Sequence, residues 1–402
     1  MQSKMLSNRV NSLSESATLE MTRLSRILKS QGHDVINLSI GEPDFNTPTA
    51  IKEAAINAIN NNKTHYTPVS GLPELREAIA EKLKRDNDLE FDADQIVVSN
   101  GAKQSIANVI LCLINPEDEV IIPAPYWVSY PEFVHLAEGK IVEIPTTIDT
   151  DFKITAEQLE NAITEKTKAI IFSSPSNPTG MLYSDKELKE IAEVVSRHKN
   201  VVIISDEIYE FINFSGKHRS IAEFDFVKEQ VVVINGVSKG YAMTGWRIGY
   251  AAAPKYLAKA CDIVQGQYTS GASSISQLAA LEAMKTSKES SSEIEYMLRA
   301  FKERRDLVYE LLCDIPGINV NMPDGAFYFF PEVNSYYGKS NGKTTIENSK
   351  DLCLYILENV YVALVPGSAF GNPDCVRISY ATSKELLIEA IKRIKSALAE
   401  LK

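Results

Sequence analysis

Between residues 95 and 255 the chain alternates short apolar, β-rich runs with helical patterns, and nothing else in the sequence restricts the fold as strongly. The runs span 95–99, 119–122, 140–144, 169–173, 201–205, 231–235 and 248–252. Most are too uninterrupted to keep one face wet, as expected of mainly parallel strands covered by helices on both sides. Helices fit between them: 184–199, for example, places Leu188, Ile191, Ala192 and Val195 on one stripe. The pattern predicts a large α/β domain built on a seven-stranded, mostly parallel sheet.

The flanks differ. Upstream, Pro48 and Pro73 each sit where a first helical turn would begin, and Ile51, Ala54, Ala55, Ala58 and Ile59 follow at helical spacing. Downstream, a long helical stretch over 275–312 leads into strands at 327–330, 361–365 and 376–380. A last helix follows Thr382, where Thr-Ser-Lys-Glu reads as a capping box. This tail suggests a second, smaller α+β domain. The polar stretch 336–345 reads as an exposed loop. Its Gly338-Lys-Ser-Asn-Gly-Lys-Thr spaces the glycines by three residues where a phosphate-binding P-loop has four, and no apolar strand precedes it.

Composition removes several function classes. Lys and Arg number 42 against 53 Asp and Glu, a formal net charge of −11, whereas nucleic acid needs a basic surface. The five cysteines, Cys112, Cys261, Cys313, Cys353 and Cys375, are scattered without a CxxC pair. Reduced thiols in a cytoplasmic protein are expected, most of them in the core, and no metal site. Ser14, Glu15, Ser16, Glu20, Arg23 and Arg26 interrupt the first thirty residues, so no signal peptide is expected. No apolar run approaches the roughly 20 residues of a membrane span, and neither membrane nor nucleic acid is an expected partner.

Four stretches carry possible chemistry, each following an apolar run. In 231–249 the run ends at Asn235-Gly236 and presents Ser238-Lys239 at its carboxyl end, where open α/β sheets bind ligands. A lysine is ordinarily a solvated surface charge. Lys239 instead has small or apolar neighbours (Gly236, Val237, Gly240, Ala242), which would desolvate the amine, lower its pKa and free it as a nucleophile. In 200–209 an apolar run delivers Asp206, with Tyr209 three residues on; Asp206 is either a helix cap or a buried carboxylate that needs a cation. In 172–180 two prolines and a glycine fix a turn around Asn177. In 97–105 a strand passes through Gly101 into a helix, whose free N–H groups would suit a phosphate.

Taken in order, SNGAKQS, PYW, SPSNPTG, SDEIY, SKGYAMTGWRIG and VRISYATS resemble the class I, fold-type I aminotransferases that use pyridoxal 5′-phosphate (PLP). The likeness is greatest to the bacterial aspartate aminotransferases of subgroup Ib and runs from about residue 5 to the C-terminus. It implies that Lys239 binds PLP covalently and moves the proton, and that Asp206 keeps the pyridine nitrogen protonated so that the ring becomes an electron sink. Tyr209 and Asn177 resemble the pair that hydrogen-bonds the phenolic oxygen. Gly101, Ala102 and Lys103 match the phosphate-binding helix start, and Arg247 its guanidinium clamp. Trp127 resembles the ring that stacks on the cofactor. Arg377 matches the arginine that grips the substrate α-carboxylate, and Gly41, in Ser-Ile-Gly-Glu-Pro-Asp-Phe, the backbone beside it. Tyr66 resembles a tyrosine that crosses a homodimer interface to the neighbour's phosphate. The family's serine three residues before the lysine is Gly236 here, with Ser238 adjacent to the lysine instead.

The resemblance further implies an N-terminal segment 1–45 that packs with the small domain and the partner subunit. A large PLP-binding domain 46–290 and a small domain 291–402 complete the division. Amino acids and 2-oxo acids would be the substrates of a ping-pong reaction in a homodimer with shared active sites. Lys103 is the candidate for the distal carboxylate of aspartate or glutamate. Relatives that accept prephenate carry a basic residue shortly before a Ser-Ala-Thr; here Ser16-Ala17-Thr18 follows Asn11, Ser12, Leu13, Ser14 and Glu15, so prephenate is expected to be poor. The rivals are a PLP-dependent carbon–sulfur β-lyase, an aminotransferase for aromatic or other amino acids, and a PLP-binding transcriptional regulator. No basic helix-turn-helix module precedes residue 40 to support the last.

Overall fold

The computed structural model describes residues 5–287 and 290–402. Twelve short strands are formed among the described residues. In chain order they are β1 (Ile36–Asn37), β2 (Ile96–Ser99), β3 (Glu119–Ala124), β4 (Lys140–Pro145), β5 (Thr167–Ser173) and β6 (Val202–Asp206). There follow β7 (Val231–Gly236), β8 (Gly249–Ala252), β9 (Tyr328–Phe329), β10 (Val362–Ala363), β11 (Val365–Pro366) and β12 (Val376–Ser379).

All seven apolar runs become one sheet, in the order β2-β8-β7-β6-β5-β3-β4. Only β8 runs antiparallel to its neighbours β2 and β7; the remaining pairs are parallel. Alternate residues of the same strands enter separate cores. Ile96, Ile121, Ile170, Ile203 and Val233 join one cluster, while Val97, Val120, Ile171, Ile204 and Ile234 join the other. A period of two with both sets apolar is what a sheet covered on both faces requires.

Helix Asp185–Arg197 shows why the connecting segments fold as they do. Ser184 accepts from Glu187 N at its start, and Leu188, Ile191, Ala192, Val194 and Val195 are buried on one side. A third core gathers Phe301, Val308, Leu352, Ile356, Leu387 and Ile394 around Phe327–Phe329, and it also takes Met21, Val35 and Ile36 from the N-terminal segment. It carries the small antiparallel sheet β11-β12-β9.

Several expectations need correction. The stretch 275–312 is two helices, Ser274–Lys285 and Ser292–Cys313. Thr286 turns extended, and Ser291 caps the second helix by accepting from Ile294 N, so hydroxyl chemistry interrupts an apolar period that looked continuous. The last helix starts at Lys384 behind Ser383, which accepts from Leu386 N; the Thr382 box is not formed, because the turn begins one residue later. Pro73 is the first residue of its helix, but Pro48, with ψ 145°, precedes the helix Thr49–Asn60 as its extended cap. The run 361–365 splits: β10 pairs with β1 and β11 with β12. The glycine-rich loop at 338–344 bonds its amides internally, Gly338 N to Ile346 O at 2.8 Å and Thr344 N to Asn341 Oδ1 at 2.9 Å, so they cradle no phosphate. Among the described residues no helix is long and apolar enough to cross a membrane, and all five cysteines are free.

Candidate active site

Six strands of the large sheet deliver polar groups to one edge. β2, β3, β5, β6 and β7 end there, and β8, being antiparallel, begins there. The edge opens into a cavity of about 310 Å³. Gly41, Ala102, Lys103, Trp127, Asn177, Asp206, Tyr209, Lys239, Arg247 and Arg377 all line it. Gly101 stands directly behind, capping the helix Ala102–Leu113 with φ 84°, a conformation only glycine adopts cheaply. Tyr66 is 99 % exposed and lies away from this cavity.

The turn after β2 is packed against β8. A methyl group on Gly249 would overlap the Ala102 backbone nitrogen, and one on Gly101 would strike the Arg247 guanidinium. These contacts press a helix N-terminus and a cation onto the same spot, which makes an anion site. Arg247 is held in the left-handed region (φ 58°), with Nη1 donating to Thr244 O at 2.8 Å and Nη2 to Asn100 O at 3.3 Å. Lys103 lies with its Nζ 5.0 Å from the Trp127 ring centre. Burial, and then the Arg247 charge, lower its pKa.

Lys239 follows β7 and is half-buried, with its Nζ donating to Gly41 O at 2.6 Å. Burial brings this amine down to about 8; Glu42 and Asp206 push the other way, and Arg377 and Arg247 add to the fall. Asp206, the last residue of β6, is buried. Tyr130 Oη donates to its Oδ2 at 2.7 Å and Ile208 N to its Oδ1 at 3.3 Å. Among the described residues it forms no ion pair, and burial raises its pKa to about 6. Arg377, on β12, is also buried. Its Nη2 donates to Ser39 O at 2.6 Å and its Nη1 to Asn177 Oδ1 at 3.0 Å, while Nε has no protein partner. Tyr209 Oη lies 2.8 Å from Tyr328 Oη.

Some cavity residues had no separate signal in the sequence. Tyr130 and Tyr328 looked like apolar aromatic positions, and only the fold shows their hydroxyls at Asp206 and Tyr209. Ser16, Thr18 and Leu19 bring the N-terminal segment to the cavity mouth.

A family profile described as aminotransferase class I and II matches residues 33–394. The chain belongs to this family. Like the family, this aminotransferase uses PLP. It is similar to the aspartate aminotransferase of Bacillus subtilis (strain 168), with 49% identity over 97% of this chain and 98% of the relative. It is also similar to the bifunctional aspartate aminotransferase and glutamate/aspartate-prephenate aminotransferase of Petunia hybrida, with 48% identity over 99% of this chain and 83% of the relative. Among solved structures, the aspartate aminotransferase from Rhizobium meliloti superposes with a TM-score of 0.95 at 42% identity, covering 100% of both chains.

The aminotransferase cavity fits its cofactor on its own geometry. Asp206 is a buried carboxylate facing the cavity without a protein cation, which a protonated ring nitrogen would supply. Gly101 to Lys103 and Arg247 match a dianion, and Lys239 matches the aldehyde carbon.

Proposed function

We propose that this aminotransferase moves the amino group of aspartate to 2-oxoglutarate, the two substrates entering one cavity in turn. The observation that carries this reading is the pair of cations left for substrate once Arg247 is assigned to the phosphate. Arg377 is buried with an unpartnered Nε, and the partly desolvated Lys103 lines the same cavity. A substrate with two carboxylates uses both.

PLP, when bound, supplies an electron sink for charge developing at the substrate α-carbon. The chain's residues do the rest. Asp206 would hold the ring nitrogen in its protonated form, steadied by the Tyr130 hydroxyl. Trp127 would cover one ring face; Tyr209 and Asn177 would meet the phenolic oxygen. The Arg377 fork, braced by Ser39 O and Asn177 Oδ1, receives the α-carboxylate, and Lys103 meets the distal one. With its amine near 8, Lys239 Nζ would take the α-proton and pass it on to the carbon that carried the cofactor's aldehyde, and Gly41 O fixes its direction.

We further propose the division 1–45, 46–290 and 291–402, supported by the separate cores of the large and small sheets. A cytoplasmic location is supported by the free thiols. A homodimer with shared sites is supported by Tyr66, a large aromatic left wholly outside its own chain's packing. A panel of amino donors with 2-oxoglutarate tests the function. With 2-oxoglutarate, aspartate is expected to lead; with oxaloacetate as acceptor, glutamate; and prephenate is expected to be a poor acceptor. Faster turnover of alanine or phenylalanine, or release of pyruvate and ammonia as a β-lyase would give, overturns it.

A further inference from the structure

Asp206 and Glu207 are adjacent, yet their side chains take separate surroundings. Asp206 faces the cavity. Glu207 is 1 % exposed, and its Oε1 accepts from Ser205 Oγ at 2.9 Å and from Ser220 Oγ at 2.6 Å. Its Oε2 lies 2.9 Å from His218 Nε2. Nearby, Glu210 is buried against Lys82, which is itself 1 % exposed. Asn87 bridges that pair, donating to Glu210 Oε2 at 2.7 Å and accepting from Lys82 Nζ at 2.8 Å. None of these groups touches the catalytic cavity, and the mechanism above uses none of them.

Their charges do not balance without His218. Glu207 and Glu210 come from the segment after β6, and Lys82 from the helix Pro73–Asn87. Arg85 and Asp86 of that helix, together with Lys217, line the cavity that His218 also lines. Arg85 is bonded to Asp86, which also lies 4.0 Å from Lys82 Nζ and is neutralised by Arg85, and Lys217 is bonded to Asp88. The enclosed set is therefore two carboxylates and one ammonium. Leaving a buried charge unmatched is strongly unfavourable, and His218 is the second cation within reach. Burial pulls its imidazole down, but Glu207 and Glu210 push it up by more, and the net pKa is raised above 6.5. Glu207 in turn acts on its neighbour, its negative charge opposing the ionisation of Asp206.

We propose that His218 is a positioning residue for the cofactor: as an imidazolium it neutralises Glu207 and so lets the adjacent Asp206 keep its charge toward the ring nitrogen. This rests on the reading of Asp206 given above, and the experiment separates the two. PLP dissociation constants are measured for the purified wild type, Asp206→Asn, His218→Gln and Glu207→Gln/His218→Gln. Glutamine keeps a donor toward Glu207 but not the charge. His218→Gln is expected to weaken PLP binding about tenfold, the equivalent of one pKa unit at Asp206, and to shift the acid limb of the cofactor-retention profile to higher pH. Removing both charges in the double variant is expected to restore affinity to within about threefold of wild type, as coupled sites do. A purely structural His218 would lower the melting temperature without that recovery. PLP affinity unchanged in His218→Gln, or no recovery in the double variant, overturns the proposal. Unchanged affinity in Asp206→Asn overturns the reading of Asp206 instead.

A second measurement needs no variant of His218 to fold. In the holoenzyme with ¹⁵N-labelled imidazoles, the chain's five histidines are assigned by replacing the other four in turn. His218 is expected to be doubly protonated at pH 7. A singly protonated ring there overturns the proposal.

Discussion

At the residue scale, the site separates groups that burial makes reactive from groups that hold substrate. Lys239→Ala is expected to abolish transamination and leave PLP bound only non-covalently. Borohydride reduction of the wild type followed by peptide mass mapping checks it, and a label on another lysine would defeat the assignment. Asp206→Asn keeps size but removes the charge; kcat should fall at least about a hundredfold, roughly 2.7 kcal/mol of barrier. The same substitution should stabilise the apoprotein. With a folded pKa near 6 against an ordinary 3.8, Asp206 binds its proton more tightly when folded. Apoprotein stability therefore falls as pH rises between those values, and at pH 7 the buried charge opposes folding by up to about 3 kcal/mol. Urea melts of the two apoproteins at pH 4 and pH 7 should differ at pH 7 only. Lys103→Ser should lower kcat/KM for aspartate about ten- to two-hundredfold, the worth of a charge-assisted hydrogen bond, while sparing alanine; equal losses would move Lys103 to the phosphate. Lys239 and Asp206 were legible because each ends an apolar run. Tyr130 was not: in sequence its ring reads as packing, and its hydroxyl acquires a role only where β6 brings Asp206 beside it.

At the scale of elements, legibility followed the strength of the local period. The seven runs became seven strands because most are apolar on both faces, a signal that no turn contact overrides, while the edge strand β4 keeps Lys140 and Glu143 exposed. The boundaries that shifted were set by hydroxyl caps, at Ser291 and Ser383, where the alternatives differ by a single hydrogen bond and about 1 kcal/mol. Sheet order was not readable at all, because it depends on which strands meet in space. That order creates the tightest contact at the site, Gly249 of β8 against Ala102. Gly249→Ala should push the Ala102–Leu113 helix away from the cavity. PLP affinity is expected to fall by about tenfold or more, consistent with losing one charge-assisted bond to the phosphate, and fluorescence titration of the apoprotein measures it. Tight binding by that variant would remove the helix start from the phosphate site.

For the whole molecule, the cavity draws on the N-terminal segment, the large sheet and β12 together, and Tyr66 suggests that a second chain completes it. Light scattering should give twice 44.6 kDa, and Tyr66→Phe should weaken PLP retention without splitting the dimer; a monomer of full activity would defeat the shared site. The strand order also sets a timetable. Ser99 pairs with Gly249 and Ile96 with Ala252, so β8 is wedged between β2 and β7. A nascent chain emerging from the ribosome makes the helix at residue 102 long before the strand that braces it exists, and pairing so distant in sequence is slow to form. The phosphate turn is synthesised well before Asp206 and Lys239, yet it has no bracing wall until residues 249–252 clear the exit tunnel. Cofactor capture thus waits for the last strand of the large sheet, after the rest of that sheet has already had to survive unliganded.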